Sequence, residues 1–80
     1  MTGGVVMAQW VIYQDPKDHS GGYVARRWDI HRGGVVLPAD NAWFCDDLDG
    51  ARMVVLANLP DGYRMDRQPD DDPTIVEVWT

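Results

Sequence analysis

Cysteine occurs once in these 80 residues, as Cys45. A lone cysteine excludes an internal disulfide framework and suits a reducing compartment. No stretch approaches the roughly 18 consecutive apolar residues of a membrane span. The N-terminus lacks the basic region and long apolar core of a signal peptide, so the expected location is a cytoplasm. Histidine is sparse as well: His19 and His31 join Cys45 without CxxC or HxxxH spacing, which argues against zinc. The one serine, Ser20, stands beside His19, and adjacency in sequence is not a triad. Repeats, linkers and a composition break are all missing, which predicts a single domain over residues 1–80 with a modest core.

What the chain does have is acid. Thirteen Asp and Glu face seven Lys and Arg, for a net charge of -6, and every acid but Glu77 is Asp. The first half is close to neutral, with Asp15, Asp18 and Asp29 against Lys17, Arg26, Arg27 and Arg32. Residues 40–80 hold nine Asp and Glu77 against Arg52, Arg64 and Arg67, a net of -7. Such a half is repelled by phosphate backbones and drawn to basic protein surfaces, so direct nucleic-acid binding is disfavoured. Disorder is disfavoured too, because 45% of the residues are hydrophobic and four are Trp.

Patterning predicts an α+β fold. Residues 1–8 read as a weakly patterned lead-in, and Trp10-Val11-Ile12-Tyr13 as a central strand, apolar on both faces. A loop follows over residues 15–22, then a long strand over 23–32. Alternation gives that strand two faces, and the one with Val24, Arg26, Trp28 and Ile30 is the expected core side. Gly33-Gly34 marks a turn and Val35-Val36-Leu37 a short return strand that ends at Pro38 or lies at an edge. Ala42-Trp43-Phe44 leads into a helix capped by Asp46 or Asp47, with Asp49 in its first turn. Leu48, Ala51, Val54, Val55 and Leu59 recur at helical spacing, and Pro60-Asp61-Gly62 stops the helix near Asn58. A short strand over residues 63–67 and an acidic turn, Pro69-Asp70-Asp71-Asp72-Pro73, precede the last strand, Thr74-Ile75-Val76-Glu77-Val78-Trp79. The sum is ββ(β)αββ: a four- to five-stranded, mainly antiparallel sheet with one helix packed on one face.

Enzyme chemistry finds little support. With Gly50 at the sixth position of a calcium loop, Cys45 and Leu56 would occupy the first and twelfth, where acids are required. Asp neighbours raise the pKa of Cys45, which disfavours a thiolate nucleophile. Arg26 and Arg27 are adjacent on a strand and point to opposite faces, so they form no single patch. The expectation is a non-enzymatic binding protein without metal or cofactor. Its candidate partner-binding residues are Asp46, Asp47, Asp49, Asp70, Asp71 and Asp72. A carboxylate on a one-methylene stem stays close to the backbone, so Asp at a helix cap and in a Pro-bounded turn makes a fixed pattern. Such a pattern imitates duplex phosphates, which carry one charge per roughly 1.7 Å of axis.

Three segments carry a resemblance: Trp10-Val11-Ile12-Tyr13, Gly22-Tyr23-Val24-Ala25-Arg26-Arg27-Trp28, and the closing run from Asp70 through Trp79. Together they cover about a quarter of the chain and resemble small phage and prophage anti-CRISPR proteins, in particular an inhibitor of the type I-C surveillance complex (Cascade). The resemblance implies a protein of the bacterial host cytoplasm that binds a DNA-binding subunit of the complex and blocks target DNA. It supplies no catalytic residues. The alternative expectation is a phage or bacterial structural or adaptor domain, with Trp10, Trp28, Trp43 and Trp79 building an oligomer or partner surface.

Overall fold

A computed structural model describes residues 4–14, 21–66, 68 and 72–80, with only the backbone described at Asn41. The strands are β1 (Val5–Gln14), β2 (Tyr23–His31), β3 (Val36–Cys45), β4 (Arg64–Met65) and β5 (Ile75–Trp79). The helix α1 (Leu48–Asn58) lies between β3 and β4 in the chain. They form one five-stranded sheet in the order β3-β2-β1-β5-β4, with every neighbouring pair antiparallel. The expected α+β architecture with one helix is therefore the observed one.

β1 is central because it is apolar on both sides. Trp10 and Ile12 face the helix, while Val11 is buried on the opposite face. Its first residues, Val5 to Ala8, lie within the stretch read as a lead-in, and here Val5, Met7 and Ala8 pair with β2. β2 and β3 are joined by a turn over residues 31–34, closed by the Gly34 N–H donating to the His31 carbonyl at 3.0 Å. Gly33 and Gly34 have φ of 92° and 86°, a region that only glycine enters at little cost. β3 runs straight through Pro38 instead of stopping there. It is an edge strand, where a missing N–H breaks no ladder bond, and its pairing with β2 shifts between Arg26 and Trp28.

The helix begins where a capping signal meets an apolar stripe. Asp47 is the N-cap, and its Oδ1 accepts from the Gly50 N–H at 2.7 Å. The stripe lays Ala51 and Val55, both fully buried, onto Trp10, Ile12 and Ala25. Burying side chains such as Ile12 and Val55 stabilises by about 1.5–3 kcal/mol each, yet the cluster is short. The helix ends at Asn58, where the Leu59 N–H donates to the Val55 carbonyl. Gly62 then donates to the Leu59 carbonyl at 2.8 Å. A Cβ there would stand 2.9 Å from that oxygen, so the turn needs glycine.

One expectation is corrected. The helix covers the β2 face carrying Tyr23 and Ala25, not the face carrying Val24, Arg26, Trp28 and Ile30. Ala25 is fully buried and small, which lets Ala51 and Val55 approach; Val24 is buried as well, but on the side away from the helix. Trp10 is likewise core, at 2% exposure, and stacks obliquely on Trp43 with ring centroids 5.5 Å apart. It therefore forms no part of an outer tryptophan surface.

Candidate functional site: the acidic end of the sheet

Strand direction decides which acids meet. β1 and β3 finish, and β2 and β5 begin, at the same end of the sheet, where Gln14 pairs with Tyr23 and Tyr23 with Cys45. The Gln14 N–H donates to the Thr74 carbonyl at 2.7 Å, which brings the start of β5 to that end too. Asp46, Asp47 and Asp49 follow β3 directly, and Asp72 precedes β5. The two groups thus share one end, separated by three strand spacings, or about 14 Å. Asp70 and Asp71 lie outside the described residues.

All four described carboxylates are exposed, and two are held by local hydrogen bonds. Asp47 is fixed by its cap. Asp72 Oδ1 accepts from the Thr74 N–H at 2.9 Å and from its hydroxyl at 2.7 Å, while the Asp72 carbonyl accepts from the Ile75 N–H. Asp49 is 91% exposed and stands 3.8 Å from Arg52, a contact that water screens. Away from this end, Asp29 pairs with Arg27 at 2.7 Å, and Asp61 lies in the turn after the helix. Nearby groups feel the field. Burial, then Asp47 and Asp46, push the Cys45 thiol above its ordinary value. Burial raises Tyr13 as well, with Asp72 adding to it and the Trp28 hydrogen bond and Arg26 opposing.

A second polar cluster escaped the sequence reading. Glu77 is only 6% exposed, on the helix side of β5. Its carboxylate accepts from Arg52 Nε at 3.1 and 3.0 Å, from the Arg52 terminal nitrogen, and from Trp79 Nε1 at 3.1 Å. Arg64 on β4 adds a contact at 3.4 Å. One carboxylate ties the helix to β4 and β5, and the Arg52 hydrogen bonds hold it below the usual carboxylate range. Its only mark in the sequence is that the sole Glu sits inside an otherwise apolar strand.

The molecule is an α+β fold, its sheet covered by a helix on one face and rimmed by exposed aspartates at one end, two of them held by local hydrogen bonds. A scan against protein-family models, a search of curated proteins and a search of solved structures each found no match to this chain. Among the described residues no helix is long and apolar enough to cross a membrane.

Proposed function

We propose that this chain is a non-enzymatic inhibitor that occupies a basic, DNA-reading surface of a type I CRISPR–Cas surveillance complex. The observation that carries the reading is the meeting of Asp46, Asp47 and Asp49 with Asp72 at one end of the sheet. Their separation of about 14 Å is comparable to the roughly 12 Å width of a B-DNA major groove. Asp47 and Asp72 are pinned by backbone donors, so a basic partner meets preset charges rather than mobile ones. The anti-CRISPR resemblance of three sequence segments supports the same partner, and with it the bacterial cytoplasm. The runner-up, an adaptor that binds protein through apolar surface, draws on the exposed Phe44, Met65 and Trp43.

The test is retention of labelled target DNA by a purified type I-C complex. Adding the protein is expected to abolish retention, and raising the salt is expected to weaken that inhibition. Asp46→Lys combined with Asp49→Lys changes two exposed positions without touching the Asp47 cap, and should impair inhibition. DNA retention that ignores the protein would sink the proposal; a double variant as potent as the parent would remove the acidic end from it.

A further inference from the structure

Both edges of this sheet are guarded, and among the described residues the helix covers only one of its faces. β4 is two residues long, and β3 carries Pro38 and a register shift opposite Arg26 and Trp28, devices that discourage edge-to-edge pairing. The helix covers one face. Among the described residues no helix or strand packs over the other, which presents Tyr13, Trp28, Val36, Met65 and Val78 around a groove of ≈ 330 Å³ floored by the buried Val11. Trp28 Nε1 donates to the Tyr13 hydroxyl at 3.1 Å, which satisfies the indole donor and leaves the apolar ring surface of both residues facing outward. β1, β2 and β5 place no carboxylate on this face. β2 contributes Arg26, and Asp66 stands at the rim beyond β4. Neither has an ion-pair partner among the described residues.

We infer that this face packs against the same face of a second copy, about a two-fold axis running along β1. Three observations select that occupant. The first is area. Strand lengths, at about 3.3 Å per residue and 4.8 Å between strands, give roughly 600 Å² per copy, or about 1,200 Å² for the pair, the lower limit of stable interfaces. The second is self-complementarity of charge. Arg26, Val11, Val78 and Met65 lie in one row across the sheet. Rotation about β1 keeps that row level and carries β2 of one copy over β5 of the other. Arg26 then comes beside its partner's Asp66, across the roughly 10 Å that separates aligned sheets. The third is symmetry, since an isologous interface needs one surface bearing both halves of each pair. The same axis sets the two acidic ends side by side. The pairing does not depend on what those ends bind.

Light scattering of the 9.0 kDa chain across a dilution series tests it. The expected result is twice the monomer mass at high concentration and the monomer mass on dilution. Val36→Glu with Met65→Glu alters positions already half-exposed in the single copy, so the fold should persist by circular dichroism while the dimer weakens at least about tenfold. Met53→Glu, on the outer helix face at 71% exposure, should leave the dimer intact. Arg26→Asp should weaken it, and Arg26→Asp combined with Asp66→Arg should restore it. A monomer up to about 1 mM, or a dimer indifferent to the Val36 and Met65 changes, overturns the inference. Failure of the charge swap to restore association overturns the axis.

Discussion

Glu77 is the residue on which the packing of α1 against the far side of the sheet depends. Its carboxylate is buried, and two arginines and an indole N–H occupy it. Replacing it with Gln keeps the shape but leaves Arg52 and Arg64 without their anion. Glu77→Gln should therefore destabilise by about 2 kcal/mol in urea denaturation at neutral pH. The pH dependence follows from the direction of the shift. The folded state holds this group below its ordinary value of 4.5, so its contribution is complete above that value. As pH falls through the folded-state pKa, the contribution is lost. The parent and Glu77→Gln should thus converge in stability at acid pH, all other carboxylates being common to both. A stability gap that persists at pH about 2 would mean that the carboxylate charge is not what Glu77 supplies.

For the elements, the helix was legible nearly residue by residue, while the face it covers was not. Its start, stripe and stop are all local signals: a capping Asp, apolar residues at helical spacing, and a Pro-Asp-Gly stop. The face of β2 is a different kind of question. Val24, Trp28 and Ile30 outweigh Tyr23 and Ala25 within that strand, so alternation favoured the larger set. The helix instead answers to the whole sheet, where Trp10 and Ile12 on β1 and Cys45 on β3 share the side of Ala25. Similarly, Pro38 allows a strand end or an edge position, and only the sheet order decides for the edge, while no local pattern joins Arg52 to Glu77. The acidic end was half legible: both aspartate groups stood out, but only the pairing of β1 with β5 brings Asp72 toward the helix start. The cap offers a test that separates stability from charge. Asp47→Ala should lower stability by about 1 kcal/mol, whereas Asp47→Asn, an equally good cap, should retain it and remove only the charge. Equal losses in thermal denaturation for both variants would mean that charge near the helix dipole, and not the cap hydrogen bond, is what Asp47 provides.

For the whole molecule, one set of charges has two opposite consequences. A net of -6 is spread over a body of 40 × 26 × 23 Å. At about 0.01 M salt the screening length is roughly 30 Å, so acids repel one another across the entire protein. At about 0.1 M it is near 10 Å, and only neighbours still interact. The exposed aspartates gathered beside the helix start and β5 feel this change most, while the pairing of buried Glu77 with half-buried Arg52 feels it least. Added salt should consequently raise the melting temperature by a few degrees. The same addition should slow capture by a basic partner, because steering draws on the field that salt removes. Measuring both over one salt series gives the sharper result, since a core-dominated domain with an inert surface would show neither response. Asp46→Asn with Asp49→Asn should flatten the two curves together. If the melting curve flattens and the binding curve does not, the partner reads some other face of the sheet.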